Sequence, residues 1–322
     1  LYKIKSGSHL YGLNTPTSDI DYIGVYIEDT LEEFLNPFNT KDEVDLSVKS
    51  KLENGKNNID AIDEKYYSLR KFIKLCSDCN PNIFEMLYSP KDCIEYIDPL
   101  FKKYFIDNPE MFLNKKVVDR FIGYAKSQEQ RSYTKSENYI ALDEFKNILD
   151  KYTISTKLSD ICSKFDHLGN SITKHHSSTN IESYIVIGEM EFSYNLRVKD
   201  AYERIEDRFS RASHRVDGML INRYEPKFMS HTVRLLIEGI QLLQTHKILL
   251  PFTGYEKDII MKIKLGKTPV EDIPKIVNTY KEIFSRNENE YSKNLQQTPD
   301  YNKIRSCFYN FILETFLNKG DN

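Results

Sequence analysis

Asp19 and Asp21, separated by Ile20, form a carboxylate pair at a spacing suited to holding a metal ion. On an extended chain, alternate side chains share a face, so the two aspartates are expected to point one way and Ile20 into the core. Carboxylates held that close repel each other until a cation sits between them. Mg²⁺ takes oxygen ligands together with substrate phosphates. A short distance upstream, Gly7-Ser8 follows a strand-like start at Lys3 to Ser6. Glycine permits a tight turn there, and the N–H groups that open the next helical turn favour an anion such as a triphosphate.

Either half alone has ordinary explanations. A bare Asp-x-Asp also occurs at solvated strand ends, and a bare Gly-Ser occurs in any loop. Glycosyltransferases also use Asp-x-Asp with a metal nucleotide, but they need no Gly-Ser turn before it. The order here is strand, Gly-Ser, a short gap, then Asp-Ile-Asp running into Tyr22-Ile23-Gly24-Val25-Tyr26-Ile27. That order is the pattern of the DNA polymerase β nucleotidyltransferase superfamily. Ser6-Gly7-Ser8-His9-Leu10-Tyr11-Gly12 with Ser18-Asp19-Ile20-Asp21-Tyr22-Ile23-Gly24-Val25 resembles the RNA ligase-associated, RlaP-type nucleotidyltransferases. So do Tyr67 to Leu75 running into Asn80 to Leu87, Tyr124 to Gln128, and His231 to Leu236. Residues 132–215 carry none of these blocks.

The elements that must position these residues follow an α+β order. Lys3 to Ser6, Tyr22 to Ile27 and Val44 to Val48 read as strands, with Asn54-Gly55 as a turn and Ile59 to Ile62 as a partner strand. A helical period starts at Tyr66 and ends at Asn80-Pro81, where a cap and an N1 proline start another helix through Leu87. Beyond residue 100 the pattern is mostly helical, with a strand from Ser183 to Phe192 and loops at Gly169 to Ser171 and Ser177 to Asn180. The expected architecture is a small mixed-sheet, polymerase β-like catalytic domain at 1–100, then a mostly α-helical domain at 101–322 with an insertion at about 132–215.

Apolar residues make up 40% of the 322-residue chain. With a mean hydropathy of −0.55 and no apolar run near the ~20 residues that span a bilayer, the composition is not that of a membrane protein. Five scattered cysteines fit a reducing, cytoplasmic compartment better than a disulfide framework. Cys76 and Cys79 lack a second ligand pair and read as core. The chain opens on Leu1 rather than methionine, which leaves room for an upstream segment. Net charge is −3, so any nucleic-acid contact has to be local; Lys115, Lys116, Arg120, Lys126, Arg131 and Lys135 form the best basic patch, or a solvated helix face.

The superfamily resemblance implies a third carboxylate on a neighbouring strand, sharing a metal and taking the proton of the attacking hydroxyl. It assigns that role to Asp63, whose alternative reading is the N-cap of the following helix; Asp60 is the neighbouring choice of register, and Asp45 is a weaker candidate. On the helix from Lys227 to Thr245, the polar residues Lys227, His231, Arg234, Glu238, Gln241 and Thr245 recur at steps of three or four and form one stripe. That stripe faces either solvent or a cleft, where Lys227, His231 and Arg234 would meet triphosphate oxygens. His9 is placed for phosphate contact or for packing, and His175-His176 for solvent. The implied activity is two-metal, Mg²⁺-dependent transfer of a nucleoside monophosphate from an NTP to an acceptor hydroxyl, on an RNA or tRNA end. Nucleotidylation of a protein or small molecule, and a silent nucleotide-binding protein, are the alternatives.

Overall fold

Alternation in the first strand decides which way the N-terminal sheet faces. In β1 (Tyr2–Lys5) Tyr2 and Ile4 are fully buried, while Lys3 and Lys5 turn out to pair with Glu64 at 2.6 Å and Glu95 at 2.9 Å. The computed structural model describes residues 1–16, 18–36, 38, 41–48, 62–175, 181–212 and 215–317. β1 lies next to β2 (Asp21–Tyr26) in a five-stranded sheet completed by β3 (Glu43–Asp45), β4 (Asp63–Ser68) and β5 (Ile94–Ile97), in the order β3-β4-β2-β1-β5. β2 and β4 run parallel, and the other pairings are antiparallel, giving the mixed sheet expected of a polymerase β-like domain.

Several local readings change. Tyr66, Tyr67 and Ser68 belong to β4, not to the helix; Ser68 is the cap of the helix Leu69–Ser77, its side chain accepting the Lys71 N–H. Asp63 therefore opens a strand and does not cap a helix. β3 stops at Asp45, and Val48 meets Ile62 in an isolated antiparallel bridge. Asn54-Gly55 and Asp60 lie outside the described residues. Phe101 joins the helical layer to the sheet, with ring centroids 5.5 Å from Phe72 and 5.6 Å from Tyr2. Cys76 and Cys79 are buried in the same core, as expected.

The chain does not divide by one cut near residue 100. One compact unit comprises Leu1–Lys126, His231–Met261 and Lys275–Asn322; the other comprises Ser127–Ser230 and Lys262–Pro274, and contains all of residues 132–215. In the second unit β6 (Asn170–His175), β7 (Ile181–Ile187) and β8 (Met190–Ser193) form an antiparallel sheet. The single strand expected over Ser183 to Phe192 is thus a hairpin. Its turn is Gly188-Glu189, both at positive φ, the pair of left-handed residues that a two-residue hairpin turn requires. Asn170 and Ser171, expected in a loop, start β6; His175 is its exposed last residue, and His176 lies outside the described residues. Phe145, Phe165 and Phe192 pack as the unit's aromatic core. Among the described residues no helix is long and apolar enough to cross a membrane.

Candidate active site

The parallel pairing of β2 with β4 sets Asp21 directly opposite Asp63. Their segments are distant in sequence, yet the register leaves both at the start of neighbouring strands, at one edge of the sheet. Asp19 lies two residues ahead of β2, and both Asp19 and Asp63 are exposed. Ile20 is 40% exposed, which overturns its expected burial: Asp19 and Ile20 precede the strand, and only Asp21 belongs to it.

Gly7 brings the turn against this edge. It has φ +60, and a Cβ built on it would fall 2.8 Å from Asp21 Oδ2. The Ser6 N–H donates to the Asp21 carbonyl at 2.7 Å, tying the end of β1 to the start of β2. Ser8 and His9 follow within the short helix Gly7–Leu10. His9 Nε2 is buried and has no protein hydrogen-bond partner. Turn, orphaned imidazole nitrogen and carboxylates are thus gathered at one end of β1 and β2.

Among the described residues no three His, Cys, Asp or Glu side chains converge tightly enough to hold a metal ion unaided. Mg²⁺ does not demand such a cage, because it is commonly bound by one or two carboxylates plus substrate phosphates. The carboxylate oxygens of Asp19, Asp21 and Asp63 are the donor type that Mg²⁺ takes on those terms. Asp45 makes a poorer donor, since its carboxylate accepts the Ser47 N–H at 2.9 Å.

The polar stripe of the helix Pro226–Thr245 is neither solvent-facing nor open to a cleft at its centre. Arg234, Glu238 and Gln241 are all buried. Arg234 Nη1 donates to Glu85 Oε1 at 2.6 Å and to Glu238 Oε1 at 2.8 Å, and the guanidinium lies 4.0 Å over the Tyr11 ring. Tyr11 in turn donates its hydroxyl to Glu85. This geometry commits Arg234 to protein partners, in place of the triphosphate contact expected of it. Gln241 is likewise engaged, by Glu256 and by the Leu249 N–H. His231 is half-buried; Lys227 is exposed and belongs to the second unit.

The network still bears on the turn. Tyr11 directly follows the helix Gly7–Leu10, and its carbonyl also accepts the Phe252 N–H at 3.0 Å. Arg234 and Glu85 therefore fix Tyr11, and Tyr11 anchors the Gly7-Ser8 segment from behind. Burial is the largest influence on these groups. It pushes the Tyr11 hydroxyl well above its ordinary pKa and raises the Glu238 carboxyl to about 8, with Arg234 opposing the shift and Glu85 adding to it. The i, i+4 spacing of Arg234 and Glu238 is the local signal that their pairing carries. Glu85 and Tyr11 carried no local signal of their partnership.

Residues 1–149 match the model of the RNA repair pathway DNA polymerase beta family, RlaP. Over these residues the chain is similar to that polymerase β-type family, the one its motifs resemble. Over nearly its whole length, the chain is also similar to an uncharacterized 38.9 kDa protein from the nrdC–mobD intergenic region of Enterobacteria phage T4, with 23% identity over 329 residues, covering 96% of this chain and 94% of that one. No solved structure matches it significantly.

Proposed function

We propose that this protein transfers a nucleoside monophosphate from an NTP to a hydroxyl at an RNA end, releasing pyrophosphate. The observation that carries this reading is the register of Asp21 with Asp63 beside the Gly7 turn. In the reaction the acceptor oxygen bonds to the α-phosphorus, the bond from that phosphorus to the bridging oxygen breaks, and the electron pair leaves with pyrophosphate. Asp19, Asp21 and Asp63 would hold Mg²⁺, which when bound supplies charge stabilisation to the entering and leaving oxygens. Gly7 would admit the triphosphate close to the backbone, and Ser8 and His9 would contact its oxygens. Asp63 accepts the proton of the attacking hydroxyl. His231 is a secondary candidate for phosphate contact; Arg234 acts through Tyr11 by positioning the turn.

The test is incubation of the full chain with each α-³²P-labelled NTP and a panel of RNA, tRNA and protein acceptors, with Mg²⁺ and with EDTA. Metal-dependent label on RNA that is lost in Asp21→Ala supports the reading. Label on protein alone replaces the acceptor. NTP binding with no transfer to any acceptor identifies a silent nucleotide-binding protein.

A further inference from the structure

The second unit holds a cavity of about 460 Å³ whose lining includes Arg131, Lys135, Tyr139, Glu189, Arg208 and Phe228. Three of these are cations and one is a carboxylate, a local excess of positive charge on a chain whose net charge is −3. Arg131, Lys135 and Tyr139 recur at steps of four on the helix Lys116–Leu149, so they share one face. Arg208 comes from the helix Val198–Ala212 and Glu189 from the β7–β8 turn. The expected basic patch therefore divides. Lys116 and Arg120 are engaged at Asp78, whereas Arg131 and Lys135 line the cavity.

Cations and rings are interleaved there. Lys135 Nζ lies 5.2 Å from the Phe228 ring centroid, and the Arg208 guanidinium lies 5.8 Å from that of Tyr139. Arg208 meets Glu189 only loosely, at 3.9 Å, and keeps 42% of its side chain exposed. Its Nε is nevertheless buried and without a hydrogen-bond acceptor. A buried N–H left unpaired is costly unless a ligand oxygen satisfies it. Cationic side chains for phosphates beside aromatic faces for bases are the two components of single-strand recognition.

We propose that this cavity holds a nucleotide of a single-stranded RNA, its phosphates on Arg131 and Arg208 and its base against Phe228. The choice of RNA rests on the nucleotidyl-transfer reading; the site itself does not. Its test omits NTP and divalent metal, so loss of either conclusion leaves the other standing.

Fluorescence anisotropy of a labelled, unstructured 12-nucleotide RNA should be measured on the full chain across a salt series. Arg131→Ala/Arg208→Ala should bind at least tenfold more weakly, with a salt slope shallower by about 1.4 for two lost phosphate contacts. Lys151→Ala/Lys164→Ala, an equal charge change at exposed positions outside the cavity lining, should leave affinity within about twofold. Phe228→Ala should weaken the RNA more than an abasic phosphodiester oligomer of equal length. Thermal unfolding of each variant verifies the fold. Unchanged affinity and slope in the folded Arg131→Ala/Arg208→Ala protein would overturn the site, as would equal losses in the two double variants. Equal binding of RNA and abasic oligomer would overturn the base contact.

Discussion

Asp21 and Asp63 occupy facing positions on parallel neighbouring strands, and the Asp21 carboxylate can lie against residue 7 because that residue has no side chain. Under the proposed chemistry the two carboxylates differ in role. Asp21→Ala should cut nucleotidyl transfer by about 100-fold or more through lost charge stabilisation. Asp63→Asn should slow turnover similarly while NTP affinity stays within a few-fold, because its task is the proton. Single-turnover kinetics beside equilibrium NTP binding checks both; wild-type rates in folded variants would remove the pair from the mechanism. Asp19→Ala should resemble Asp21→Ala.

Gly7→Ala tests the turn with the smallest probe. A left-handed φ costs a non-glycine residue about 1–2 kcal/mol, and the new methyl group would push on Asp21 Oδ2. Melting temperature should fall by a few degrees, while NTP affinity and transfer fall by at least tenfold. Gly7→Val should do more harm to both. A Gly7→Ala protein with unaltered NTP affinity would separate the turn from nucleotide binding.

Arg234→Ala leaves Glu85 and Glu238 buried with no cation and should cost about 3–5 kcal/mol in urea denaturation. Adding Glu85→Gln should recover much of that loss, since a neutral amide removes the unpaired charge, whereas Glu238 already holds its proton near neutral pH. A phosphate ligand would behave oppositely, with NTP affinity falling and stability intact, so measuring both quantities on one variant distinguishes the roles.

Glu238 gives stability a pH dependence of known sign. Burial is the main reason its folded pKa lies near 8, against an ordinary value of 4.5. The native state thus holds the proton more tightly than the unfolded chain. The resulting stability is complete below about pH 4.5 and is lost as pH rises towards about 8, by at most about 1.4 kcal/mol per pH unit. Chemical denaturation across that range should show the decline, and Glu238→Gln should flatten it. An equal slope in the variant would assign the proton elsewhere.

The Gly-Ser and Asp-Ile-Asp motifs were legible because their chemistry is local, a turn and a spacing of two. Their relation to Asp63 was accessible only by resemblance, because parallel pairing is a long-range event with no hairpin to announce it. Tyr66 to Ser68 was misread because Tyr66, Leu69, Phe72 and Ile73 fit a helical period that overruns the end of β4. The stripe at Arg234 misled for a related reason: polarity at regular spacing reports a distinct helix face, whereas what covers that face depends on Glu85, 149 residues away. In the second unit, Arg131 and Lys135 were visible as charge, while Arg208 and Phe228 were too remote to be joined to them.

Glu85 is synthesised long before the guanidinium that neutralises its surroundings. At 5–20 residues per second, a ribosome needs about 7–30 s to cover the intervening stretch. Through that interval the nascent sheet carries Glu85 and Tyr11 without Arg234. A fragment ending at residue 149 would keep every catalytic candidate on the sheet but would stay permanently in that condition. The N-terminal motif region is thus continuous in its sequence yet discontinuous in its assembly, and its maturation waits on late-emerging chain.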